Sequence, residues 1–499
     1  MEAHYRHSAP APRCPAIIPQ PVFSVVAGKL DCDERRCFEW FIRRTATKVP
    51  GVFASNFWHS LVPQVSSSEQ VVLHAALALA SAHETQMRRT SLPDCAAQET
   101  LEQDEFTTRQ YNKAINHLLP LLHCTDKHSV RVALTACMVF ACIEFLQRRY
   151  EIGHAHLQAG RKVLFQAGAR ANTSGDGIVL RAQPSDSVED GLFEAFSRLD
   201  LQAALLNGME LQILTQNDRE CHALPPKFQS VDQARRSLDT LLRRSYQLRR
   251  GDSNHKRNSG TFYHQFTMER RQIQIDLSSW LHAYESSHVA LERGMPVRDA
   301  IGYRLLHIYY TMAYILTETS SNPPNESEVD HFTDHFISII NYTTDVLATS
   351  EPITRQDMKS KQCSPKFSFT MDMGIVPPLY FVATNCRVPN VRRQAIELLA
   401  TASYQEGVWE GTLAAMVATE IMNVEERGVF GFVNDRETIA AEHSTLPTIP
   451  SAQRLYRVCV NLPNVGTGHL TLTGDRKRLD GSWETIARHY DPKQKVWND

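Results

Sequence analysis

His331 and His335 stand four residues apart with Asp330 and Asp334 beside them, the spacing by which one helix face offers two imidazoles to a metal ion. No His-Glu-x-x-His frames them and no third ligand can be named, so the pair is expected to be incidental. Cys32 and Cys37 supply at most half of a four-thiolate zinc site, and no Cys-x-x-Cys occurs in the 499 residues. A second chemistry is offered by the basic run Arg235, Arg236, Arg243, Arg244, Arg249, Arg250, Lys256 and Arg257, against Asp239 and Asp252. Such a run suits phosphate contacts or a nuclear-import signal. It also suits the solvated face of a helix whose apolar side is Leu238, Leu241, Leu242 and Leu248, and that reading is preferred. Nucleophile elbows, glycine-rich phosphate loops and dinucleotide-binding turns are missing. No catalytic, cofactor-binding or metal-ligating residue is therefore expected.

Bulk properties narrow the class. Fifty-three basic residues face 55 acidic ones, for a formal net charge of −2. That balance gives no general attraction to nucleic acid or to an anionic membrane. The most apolar helical run, Val132–Ile143, falls short of the roughly 20 residues that cross a bilayer, so no membrane association is expected. Eleven cysteines, an odd number scattered along the chain, argue for a reducing compartment and an intracellular protein.

The elements that would position these residues read as helices. Prolines at 10, 12, 15, 19 and 21 exclude a helix from the first 30 residues, which form an unstructured arm. Acidic residues at Asp31, Asp33 and Glu34 then open a helix. Ser67-x-x-Gln70 has capping-box form ahead of the apolar stretch Val71–Ala82. Helical periods follow over 104–123, 129–147, 153–166, from 187, and over 233–249, 261–290, 297–318 and 328–348. Val132, Ala136, Val139, Ile143 and Leu146 share one face of the second of these, and its other faces are apolar too, which places it in the core. Further helices are expected at 377–386, 391–402 and 406–425. Near the end, Leu470-Thr471-Leu472-Thr473 alternates, Asp480-Gly481 marks a tight turn, and 482–486 is the returning strand of a hairpin.

The fold class is thus all-α: an α-solenoid-like array of antiparallel helix pairs with a small C-terminal β-hairpin. A division into an arm (1–30), a helical region (31–445) and a C-terminal extension (446–499) is expected.

Within that array, Gly374–Trp409 joins a double proline, an aromatic segment, Cys386-Arg387, an arginine-studded helix and a Gly-x-Trp exit. Two earlier blocks accompany it. One holds Phe38-x-Trp40-Phe41 and Phe57-Trp58-x-x-Leu61-Val62 before a helix ending Ala82-His83-Glu84. The other runs from Tyr111-Asn112-x-Ala114-Ile115 to Gly153-x-x-His156-Leu157-x-x-Gly160. In this order the blocks resemble the fungal-specific transcription factor domain, the helical regulatory region that normally follows a Zn2Cys6 cluster. The resemblance covers roughly residues 31–488.

The resemblance implies a nuclear transcription regulator, with a secondary-metabolite gene cluster as its field of action. Its partners would be other regulatory proteins or a second copy, and an apolar effector would enter a helix-lined pocket. Direct DNA binding is not expected from these residues, since the six-cysteine cluster is not among them; a natural partner-dependent regulator, a paralogue that lost the cluster and an incomplete gene model all fit. The alternatives are a non-transcriptional helical scaffold, or a helical enzyme or apolar-ligand carrier. Trp58, Pro377, Pro378, Tyr380, Cys386, Arg387, Arg393, Gly407 and Trp409 are expected to be structural. The prolines would set a helix entry, Tyr380 would reach a hydrogen-bond partner, Cys386 would be a small buried hydrophobe, and Arg387 would fasten a loop.

Overall fold

The computed structural model describes residues 30–91, 97–124, 126–171, 188–208, 211, 213, 224–250, 260–291, 295–321, 326–356, 368–401, 404–429, 449–462 and 470–498. The arm at 1–29, and Lys256 and Arg257 of the basic run, lie outside them.

Asp31 accepts the Glu34 N–H at 2.8 Å and opens α1 (Cys32–Trp40), as the acidic start implied. A π-helical turn, Phe41–Thr45, carries α1 onward, and a second one, Phe57–Leu61, leads into α2 (Val62–Ser66). Of the aromatic residues in the Phe38–Val62 block, Phe38 and Trp40 lie in α1 and Phe41, Phe57 and Trp58 on these two widened turns, where Phe57 and Trp58 meet edge to face at 4.8 Å. The capping box is not formed. Ser67 instead turns its hydroxyl back onto the Gln64 carbonyl at 2.6 Å, because α2 ends there and α3 (Gln70–Ser91) starts afresh.

Successive helices run antiparallel, and their side chains record the direction. Between α3 and α4 (Ala97–Leu118), His74 bonds Gln110 at one end and Arg89 bonds Asp104 at the other. Asp126 accepts the Ser129 N–H and caps α5 (Lys127–Leu146), whose Phe140 and Phe145 lie against His156 and His154 of α6 (Tyr150–Ala171). By length and composition α5 would cross a bilayer, contrary to the shorter run read from sequence, yet its apolar surface is buried inside the protein. After α7 (Val188–Asn207), α8 (Val231–Arg250), α9 (Gly260–Leu291) and α10 (Val297–Glu318) pack as an up-down-up three-helix bundle, with Thr317 of α10 donating to Ser245 of α8. Trp280 of α9 joins it, donating to the Ala234 carbonyl at 3.0 Å and stacking on Tyr284 and Tyr310. Helix α11 (Thr333–Gln356) returns along α10, with His307 against Tyr342.

The last third closes the array on itself. Strand β1 (Ser368–Thr370) pairs in parallel with β2 (Tyr404–Glu406), which pairs with β3 (Trp409–Glu410). Between them come α12 (Val376–Asn385) and α13 (Pro389–Thr401), and α14 (Gly411–Glu426) follows. This small sheet touches the first third of the chain: the Met371 N–H donates to the Val49 carbonyl, Gln405 donates to the Phe145 carbonyl, and Tyr150 donates to Glu410. A solenoid restricts contacts to neighbouring repeats; here the antiparallel stack is also tied across about half the chain. The expected hairpin is the middle of a four-stranded antiparallel sheet, β4 (Leu455–Asn461), β5 (Leu470–Lys477), β6 (Trp483–Asp491) and β7 (Val496–Asn498). The sheet is bonded to the helices: Arg454 grips Asp330, Arg488 grips Glu420, and the Cys459 thiol donates to the Asn207 carbonyl.

Trp280 is fully enclosed. Trp280→Ala is therefore expected to lower stability by about 3–5 kcal/mol, whereas Trp280→Phe should cost less than half of that. Urea denaturation followed by circular dichroism measures both.

Candidate functional site

The Gly374–Trp409 block is organised around one carboxylate. A helix leaves its first N–H groups without intrahelical partners. At the start of α12 three such donors, from Gly374, Ile375 and Val376, converge on Glu406 at 2.8, 2.9 and 3.1 Å. Pro377 and Pro378 come next and have no N–H to satisfy, and the Leu379 N–H already bonds the Ile375 carbonyl. Every donor at this helix start is thereby accounted for. The close approach requires Gly374, since a Cβ there would lie 2.5 Å from a Glu406 oxygen. It also requires Gly407, which follows Glu406 at φ +58°, where a side chain is strained. Tyr309 closes the ring by donating to the Gly374 carbonyl at 2.8 Å. Burial, aided by the nearby Asp372, pushes the Glu406 carboxyl up to about 7 against the lowering effect of its three amides.

A second buried cluster fastens the other end of α12. Arg387 donates to Glu425 at 3.0 Å and to the Asn385 carbonyl at 2.6 Å, fastening the loop as expected. Arg392 is completely enclosed; it donates to the other Glu425 oxygen at 2.5 Å and to the Ala383 carbonyl at 2.8 Å. Arg393 pairs with Glu426 at 2.8 Å. Glu425 also accepts the Leu455 N–H at 2.9 Å, which ties the cluster to β4. Although burial opposes ionisation of Glu425, its two arginines and the Leu455 amide hold its carboxyl below the usual range. Cys386 is buried at the end of α12 beside this second cluster, and enclosure raises its thiol to about 11. Trp58 is buried outside both clusters, where it lines a small space with Leu199 of α7 and with Met371 and Asp372.

The described part of the basic run does not form one solvated face. Arg235 is buried against Glu194 and Asp372. Arg243 is buried and donates to the Ser197 and Ile213 carbonyls. Arg244 reaches Glu269 and Asp276 on α9. Arg249 bonds Thr319 and Asn385. Arg236 is the exposed member, 3.7 Å from Glu194. The neighbouring helices cover the polar side of α8, so its guanidiniums serve as internal fasteners. His331 and His335 do not share a helix: His331 lies in a 3-10 turn (Glu326–Phe332), while His335 on α11 stacks against Tyr314 at 5.4 Å.

Between helices and C-terminal sheet lies a cavity of about 190 Å³. Its apolar wall includes Leu205, Leu206, Met312 and Phe381, and motif residues Pro377, Tyr380 and Trp409 enter it from α12 and β3. Tyr380 and Trp409 meet edge to face at 5.1 Å. Contrary to expectation, the buried Tyr380 hydroxyl finds no hydrogen-bond partner among the described residues, and neither does the buried Trp409 indole N–H. Four arginines, Arg249, Arg250, Arg387 and Arg457, also line the cavity. The sequence singled out Tyr380, Trp409, Arg249 and Arg250 separately; nothing in their spacing announced that they meet. No group of three or more metal-ligating side chains occurs among the described residues.

Two comparisons bear on this arrangement. Residues 37–364, about two-thirds of the chain, match the model of the fungal-specific transcription factor domain. A relative, the aspercryptin biosynthesis cluster-specific transcription regulator atnN of Emericella nidulans, is 20% identical over 432 residues, which cover 72% of this chain and 68% of that protein. No solved structure gives a significant match.

Arg392→Met removes one partner of a buried pair and leaves Glu425 under-compensated, so a loss of about 3–5 kcal/mol is expected by urea denaturation. Glu406 gives a pH signature. Its proton is held more tightly in the folded state, so stability from this group is present below about pH 4.5 and lost as pH rises through about 7. The stability of the wild type relative to Glu406→Gln should therefore fall across that window, as read from urea midpoints at a series of pH values.

Proposed function

Because the chain belongs to the fungal-specific transcription factor domain family, we propose that this transcription regulator works in the nucleus and controls the genes of a biosynthetic cluster. The relative named for cluster-specific regulation supports the second part, and the family match over 37–364 carries the reading as a whole. This chain contributes regulation, and recognition of DNA comes from a partner regulator. In support, the net charge is −2 and the described arginines of α8 are mostly spent on internal partners. An apolar effector entering the cavity beside Tyr380 and Trp409 would act on the junction between the helices and the sheet.

Deletion of the gene followed by transcript sequencing tests this. The expected result is loss or gain of transcripts from one contiguous group of biosynthetic genes, with a fluorescently tagged chain in nuclei. Unchanged transcripts together with exclusion from nuclei would overturn it. The purified chain alone is expected to bind duplex DNA weakly at most, with affinity falling steeply as salt is raised.

A further inference from the structure

The cavity at the helix–sheet junction has a chemical character that an apolar effector alone does not explain. Its floor is aromatic and aliphatic, while four guanidiniums and no carboxylate stand among its described lining residues. Arg387 is committed to Glu425 and the Asn385 carbonyl. Arg457 lies 5.7 Å above the Trp483 ring and 3.6 Å from Asp475, at the rim formed by β4 and β6. Arg250 comes from the end of α8, so positive charge faces the space from two separate elements. Its aromatic lining includes Tyr380 and Trp409, whose buried hydroxyl and indole N–H have no partner among the described residues.

We propose that this cavity binds a small aromatic acid, with its ring system against Tyr380 and Trp409 and its anionic group toward Arg250 and Arg457. Size sets the scale. An engineered apolar cavity of about 150 Å³ takes one benzene, so about 190 Å³ suits a core of one or two rings. An inorganic phosphate or a nucleotide fits less well. Phosphate sites use free backbone amides at a helix start, and those of α12 are already taken by Glu406. The inference rests on the effector reading of the cavity and adds the ligand's charge and class to it.

Isothermal titration of the purified full chain with 2-naphthoate and with its neutral analogue 2-naphthamide is the test. Naphthoate is expected to bind and the amide to bind at least about tenfold more weakly, the difference that one or two charge-assisted hydrogen bonds supply. Arg250→Gln and Arg457→Gln should each shrink that ratio, and Leu206→Phe, which fills the space, should abolish binding of both compounds. Equal affinity for acid and amide would overturn the anionic class while leaving an apolar effector in place. No binding of either compound would overturn both. Should a variant fail to fold, the acid-to-amide ratio on the unmodified protein decides the matter.

Discussion

The carboxylate of Glu406 at the start of α12 is the constraint on which the rest of the molecule depends. Three backbone amides need one acceptor, and the two prolines that follow remove the donors that would have needed a second. Glu406 ends β2, so capping the helix also fixes where β1, β2 and β3 meet. That small sheet holds the Val49 and Phe145 carbonyls of the first third of the chain. One carboxyl group thus sets a helix entry, a sheet register and a closure between distant segments. The arrangement works because Gly374 and Gly407 leave the room that a side chain would take.

The Arg387–Arg392–Glu425 cluster anchors the opposite end of the same helix. Burying such charges is costly, and several kcal/mol per ion must be offset by geometry and by additional hydrogen bonds. Here the offsets are visible: two arginines on one carboxylate, carbonyl acceptors at Ala383 and Asn385, and the Leu455 amide. Helix α12 is therefore held at both ends, and its middle presents Tyr380 and Phe381 to the cavity. The cavity thus lies between a helix fastened at both ends and the C-terminal sheet.

Much of the helical order was legible because long apolar periods survive whatever covers them. Val297–Glu318 was recovered to the residue, and the core position of α5 followed from its apolar faces. The β1–β2–β3 sheet was not legible. Its strands are two or three residues long, too short to show a period, and β1 finds a partner 36 positions away. The arginines of α8 were misread for a different reason. A sequence shows that a helix face is charged but not that Glu194, Glu269, Asp276 and Asp372 arrive from elsewhere to meet it. Arg392, off the apolar stripe of its helix, is open by sequence to either solvent or an acidic neighbour, and in the fold it meets Glu425. The cavity combines residues from α7, α8, α10, α12 and three strands, so only the fold could assemble it.

Hydrogen exchange measured by mass spectrometry on the wild type and on Glu406→Ala addresses the lock most directly. If one carboxylate joins α12, the small sheet and the cavity, protection should fall together in segments 374–387, 404–410 and 455–461, while the α3–α4 pair exchanges as before. A loss confined to the first turn of α12, or one spread evenly over the molecule, would contradict it.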